Sequence, residues 1–230
     1  MKSLFFSYDM AVDRAYIIRI QGHEASERKA DEAAKSCASI GMPFSFWDAY
    51  NGLENPIKPP AHHSQVMNMI KVTNPRLSRG EVACALSHIS LWAKCVELDK
   101  PIVILEHDAV MVEPYFQHNL LNSICFLGCQ EQALKGWQVS PTPPHATDGP
   151  NYHFICRAHA YAIDPFVAKN LLAHVLQMGI QTSLDMLIRS DLFPIHQMGL
   201  KAYDVQDGQT TILNRTRDFS PDIRNDELAA

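Results

Sequence analysis

The chain has 230 residues, 47% of them apolar and 20% charged, with a formal net charge of −5 at neutral pH. That is the balance of an ordinary soluble globular protein, long enough for one domain with a sizeable core. The net acidity weighs against a nucleic-acid grip over the whole surface, leaving only a local basic groove open, and no run of residues approaches a membrane span.

Residues 15–20, AYIIRI, form a short β-branched run and predict the first strand. Residues 24–40 are rich in alanine and charge, carry Glu24 and Glu27 early and stop at Gly41, which predicts a helix. Residues 44–47 alternate aromatic and small side chains, a second strand, and Asn51 with Gly52 predicts a turn. Residues 55–64 contain Pro56, Pro59 and Pro60 and read as a surface loop, with His62 and His63 as solvated residues of no assigned role. In residues 78–98 the spacing of Val82, Leu86, Ile89, Ala93 and Val96 predicts one buried helical stripe, and Ser87 and His88 lie within that helix.

The next stretch, PIVILEHDA over residues 101–109, organises the rest. Four apolar residues, Ile102 to Leu105, run without a turn into Glu106, His107 and Asp108. Such a run suits a strand covered on both faces, and open α/β sheets bind ligands beyond the carboxyl ends of their strands. Two carboxylates one residue apart can converge on a hard divalent cation, although Asp108 also reads as a simple cap.

Beyond it, residues 123–127 and, more weakly, 136–139 read as strands, and residues 140–152 carry four prolines and predict a loop. Residues 158–163 are strand-like. Asp164 and Pro165 then start a helix carrying Phe166, Leu171, Leu172, Val175 and Leu176 and ending at Gly179. Asp185 sits near the start of a short helix, as a cap or as a functional carboxylate, and residues 195–205 read as one further strand. The domain is expected to span residues 1–213, with a polar tail over 214–230. The six cysteines lack a secretory signal ahead of them, which predicts reduced thiols and a cytoplasmic protein. Cys125 and Cys129 lack the partners of a zinc set.

Several separated motifs resemble glycosyltransferase family 25, the bacterial lipopolysaccharide and collagen galactosyltransferase type. They are Asp48 to Gly52, Gly80 with Glu81, Cys84 to His88, Leu105 to Ala109, His159 to Tyr161, Ala168 to Leu172, and Leu184 with Asp185. The resemblance implies an α/β, GT-A-like fold with a Rossmann-like, mostly parallel sheet flanked by helices. It implies an inverting transferase moving a hexose, galactose or glucose, from a UDP-sugar to a glycan acceptor such as lipopolysaccharide or lipooligosaccharide. Mn²⁺ or Mg²⁺ would be bound by Asp108 and Glu106 with His107 beside them, Asp185 would be the base, and Arg28, His88, Glu106 and Tyr161 would serve the nucleotide-sugar. His196 is a further metal-ligand candidate. Two departures stand out: His107 replaces the family's middle aspartate, and Arg19 replaces an asparagine in the first strand. Imidazole suits Mn²⁺ better than Mg²⁺, so His107 bears on metal choice and on whether the chain turns over or only binds. A modified nucleobase as acceptor is the other enzymatic alternative, and the absence of a spanning run leaves a peripheral membrane contact open.

Overall fold

In the computed structural model, the structure describes residues 11–120, 122–128, 158–189, 192–198 and 200–205. Its main sheet has six strands: β1 (Ala15–Arg19), β2 (Phe44–Asp48), β3 (Ile102–Leu105), β5 (Ile124–Phe126), β6 (Ala160–Ile163) and β7 (Ile195–Gln197). Their spatial order is β2-β1-β3-β6-β5-β7. The pairs β1–β2, β1–β3 and β5–β7 are parallel, whereas β6 runs antiparallel to both β3 and β5. Five strands therefore share one direction and β6 opposes them. The carboxyl ends of β1, β2 and β3 meet the start of β6 at one edge.

Both faces of the sheet are covered, and the strands show it by alternation. Ala15, Ile17, Val103 and Leu105 pack on one side with Ala30, Ala33 and Cys37 of α1 (Glu24–Ser39). Tyr16, Ile18, Ile102 and Ile104 pack on the other, against α2 (Arg79–Leu98) and α3 (Pro165–Met178). This is an α/β fold with a mostly parallel sheet between helices, the Rossmann-like arrangement consistent with GT-A.

The helix starts follow their caps. Ser78 and Glu81 form a reciprocal capping box on α2, with Ser78 N–H donating to Glu81 Oε2 at 2.9 Å and Glu81 N–H to Ser78 Oγ at 3.3 Å. Asp164 accepts from Phe166 N and Val167 N at the start of α3. At the C-terminal end of α1, Gly41 takes φ +72°, a left-handed turn that glycine adopts without strain.

Several expectations need correction. The buried face of α2 is far wider than one stripe: Ala85, Ser87, His88, Leu91, Trp92 and Cys95 are buried, while Ala93 and Val96 are only partly so. The cause is that α2 lies between the sheet, α3, a 3₁₀ turn (Gln65–Met69) and α4 (Leu184–Leu187). In α3, Phe166 and Leu176 are exposed, because the buried stripe runs through Val167, Ala168, Leu171, Leu172 and Val175. Residues 195–205 hold two strands rather than one. After β7 the chain turns and forms β8 (Ala202–Asp204), which pairs antiparallel with β4 (Ala109–Met111) in a separate two-stranded sheet.

His62 and His63 are only partly solvated: the His62 ring lies tilted against Trp47 with ring centroids 3.7 Å apart, and His63 Nδ1 lies 2.7 Å from Tyr50 Oη. Among the described residues Cys37, Cys84, Cys95 and Cys125 are free thiols. Cys129, Cys156, the strand at 136–139, the proline-rich segment 140–152 and the tail 214–230 lie outside the described residues.

Candidate functional site at the carboxyl edge of the sheet

β3 delivers its acids through a tight turn. Ala109 N–H donates to Glu106 O at 3.0 Å, closing residues 106–109, and β4 then leaves in another direction. The side-chain alternation that sends Ile102 and Ile104 toward α2 continues at Glu106, which points at the same helix. Its backbone is held by β6, Glu106 N–H donating to His159 O at 2.8 Å. Asp108 is fixed from the second sheet, its carbonyl accepting from Val205 N at 3.0 Å. Asp185, in the first turn of α4, accepts from Ala158 N at 3.0 Å, so the residue just before the HAY segment orients it.

Asp108 and Asp185 lie near enough to Glu106 for their charges to oppose its ionisation. The Glu106 side chain keeps 29% of its surface exposed, yet its carboxyl is pushed up to about 8, first by burial and then by the charges of Asp108 and Asp185, with His107 and His159 acting the other way. Asp108 and Glu106 offer the oxygen donors that a hard divalent cation takes: Asp108 Oδ1 is buried with no hydrogen-bond partner among the described residues, and a cation would relieve the repulsion that raises Glu106.

A stability consequence follows in metal-free protein. Between about pH 4.5 and about 8 folded Glu106 keeps a proton that the unfolded chain has lost, so the folded state binds more protons and stability falls as pH rises through that window. Thermal unfolding in chelator is expected to show a midpoint that drops from the acid to the alkaline end. Glu106→Gln should flatten that slope, and an unchanged slope would be evidence against the clustering.

Beneath the acids runs a buried polar relay. Trp92 Nε1–H donates to Tyr161 Oη at 2.9 Å, Tyr161 Oη lies 2.9 Å from His88 Nδ1, and His88 Nε2 faces Glu106 Oε1 at 3.4 Å. Tyr161 is fully buried and His88 is 1% exposed. Burial lowers His88 to about 3, against the opposing pull of Asp185, so the imidazole is neutral at physiological pH. With Tyr161 O–H aimed at Nδ1, the ring proton sits on Nε2 and points at Glu106. His88 and Tyr161 thus lie buried beneath the acidic turn, with His88 facing Glu106. Tyr161→Phe leaves the Trp92 N–H and His88 Nδ1 unpaired in the core. We expect it to cost about 2 kcal/mol, a midpoint drop of roughly 4–8 °C measurable by calorimetry.

Other candidates are placed elsewhere. Arg28 is exposed on α1. Arg19, at the end of β1, pairs with Asp48 at 3.2 Å and lies 4.3 Å over the Phe46 ring, at the same edge of the sheet as the acids. His196 sits on β7, separated from β3 by β6 and β5, with His118 as its titratable neighbour. It is not brought to the acidic turn.

Two residues that the sequence motifs include were given no role of their own. His159 is 3% exposed, and neither ring nitrogen has a partner among the described residues. Its ring occupies the space above Gly128, where a Cβ would come within 2.0 Å of His159 Nε2. Cys84 lies one turn before His88 on α2 and faces the same acids. The i, i+4 spacing on a helix was the available signal for Cys84.

The chain matches the profile of glycosyltransferase family 25 (LPS biosynthesis protein) over residues 13–139. It is also similar to the lipooligosaccharide biosynthesis protein lic2B of Haemophilus influenzae, at 22% identity over 203 residues, covering 79% of this chain and 70% of that protein. The profile takes in β1, α1, β2, α2, β3 and the acidic turn, more than half of the sequence. A family match across the elements that build this sheet edge, the acidic turn of Glu106 and Asp108 included, places this chain in glycosyltransferase family 25, as a sugar transferase.

Proposed function

We propose that the chain is an inverting, metal-dependent hexosyltransferase that moves galactose or glucose from a UDP-sugar to a lipopolysaccharide or lipooligosaccharide acceptor. The observation that carries this reading is Asp108 Oδ1, buried and with no hydrogen-bond partner among the described residues, two residues from Glu106 at the carboxyl edge of the sheet, where the charges of Asp108 and Asp185 both raise the Glu106 carboxyl. The family's description and the name of the lic2B relative support the acceptor class.

Asp108 and Glu106 would hold Mn²⁺ or Mg²⁺, with His107 beside them; the ion supplies Lewis-acid stabilisation of the negative charge on the departing diphosphate. The chain's own groups account for the rest. Asp185, oriented by the Ala158 amide, takes the acceptor hydroxyl proton as that oxygen bonds to the anomeric carbon and the bond to UDP breaks. Attack from the face opposite the leaving group inverts that carbon. The neutral His88 ring, fixed by Tyr161, keeps Glu106 turned toward the site.

The test is a transfer assay with UDP-galactose and UDP-glucose on truncated lipooligosaccharide acceptors, with Mn²⁺, Mg²⁺ or chelator. Metal-dependent release of UDP together with a β-linked product from an α-linked donor supports the reading. Binding of UDP-sugar without transfer or hydrolysis under any metal would overturn it. The thermal shift given by each UDP-sugar identifies the donor.

A further inference from the structure

We propose that Cys84, His88 and Glu106 form a second cation site, selective for a borderline-soft ion such as Zn²⁺, that shares Glu106 with the acidic turn. The three ligand atoms, a thiol sulfur, an imidazole nitrogen and a carboxylate oxygen, all lie within 4.8 Å of one another. Cys84 and His88 are four residues apart on α2, so both side chains leave the same helix face, and Glu106 comes from the strand end opposite. A tetrahedral Zn²⁺ with bonds of about 2.0–2.3 Å sets its ligand atoms roughly 3.3–3.7 Å apart, so the set must close by about 1 Å. Glu106 and Cys84 both reach solvent, which gives the ion its way in and leaves a fourth position open.

The surroundings suit such an ion. A metal-bound histidine ordinarily gives its other ring N–H to an acceptor, which fixes the ring. Tyr161 Oη stands 2.9 Å from His88 Nδ1 and is itself held by Trp92. On binding, the Cys84 thiol proton leaves to solvent, and the His88 proton moves from Nε2 to Nδ1, where it donates to Tyr161 Oη. The neutral ring keeps one proton throughout. Thiolate and imidazole favour Zn²⁺ or Co²⁺, whereas Mn²⁺ and Mg²⁺ prefer the carboxylate oxygens at Asp108. The two sites therefore differ in chemistry and compete for one carboxylate. If the chain is the metal-dependent transferase proposed above, Zn²⁺ withdraws Glu106 from the acidic turn and inhibits it.

Cobalt titration of the full chain tests the site without any need for activity. Wild type and Asp108→Asn should both develop a thiolate-to-cobalt charge-transfer band, and Cys84→Ser, nearly isosteric, should lose it. A second measurement needs no variant: Zn²⁺ should slow alkylation of Cys84 in the wild-type protein by about tenfold or more, read by peptide mass mapping. A band of equal intensity in Cys84→Ser, or Cys84 alkylation unchanged by Zn²⁺, overturns the proposal. Zn²⁺ binding without any transfer activity would keep this site and reject the transferase reading, so the two failures are distinct.

Discussion

Asp108→Asn is expected to lower sugar transfer by about a hundredfold or more, the scale on which losing one electrostatic contact to the developing leaving-group charge is felt. The substitution keeps the size of the side chain. The turn around it is held by backbone bonds, Ala109 N–H to Glu106 O and Val205 N–H to Asp108 O, which asparagine leaves intact. What disappears is the negative charge on a buried oxygen with no hydrogen-bond partner among the described residues. In chelator that charge is a burden, since it raises the Glu106 carboxyl, so the variant should unfold at the same temperature as wild type or higher. Loss of activity joined to unchanged or increased stability is the signature of a residue kept for function. Measuring UDP release, Mn²⁺ affinity and thermal midpoint together separates this from a folding defect. Full transfer activity in Asp108→Asn would remove the metal assignment.

The part of the site carried by β3 was legible because a strand imposes its own geometry. An uninterrupted apolar run ending in acid places those acids at a sheet edge, and the alternation of Ile102 and Ile104 already decides which way Glu106 points. The caps at Ser78 and Asp164 were legible for a similar reason, since each uses neighbours within three residues. What could not be read depends on elements distant in sequence. The relay joins Trp92 and His88 on α2 to Tyr161 on β6, 69 and 73 residues away, and only the antiparallel insertion of β6 beside β3 brings them together. A stripe count on α2 failed because the helix is packed on several sides, so its polar residues are core residues. Likewise β8 is too short and mixed to announce itself, and it exists because β4 offers it an edge. His62 and His63 look solvated in a proline-rich stretch, yet Trp47 and Tyr50 fold back onto them.

Asp185→Asn is the second substitution expected to act strongly, lowering kcat by about 10²–10⁴-fold, the usual contribution of a positioned base. Asparagine can still accept the Ala158 N–H through its side-chain oxygen, so α4 and its contact with the start of the HAY segment should persist. It cannot take a proton. As a base Asp185 would act on the acceptor hydroxyl, so KM for the UDP-sugar should change little while kcat collapses. Removing a charge that raises Glu106 should also shift the Glu106 carboxyl downward, moving the stability slope in chelator to lower pH. A merely structural Asp185 would also reduce activity when replaced, so the pH–rate profile is needed to separate the two roles. A structural role predicts lost stability, a raised KM and an unaltered acid limb of the pH–rate profile. A base predicts that the acid limb, present in wild type as the carboxylate protonates, vanishes from the residual activity of the variant. Retention of that limb in Asp185→Asn would assign the base to another group and leave Asp185 as the anchor that ties α4 to Ala158.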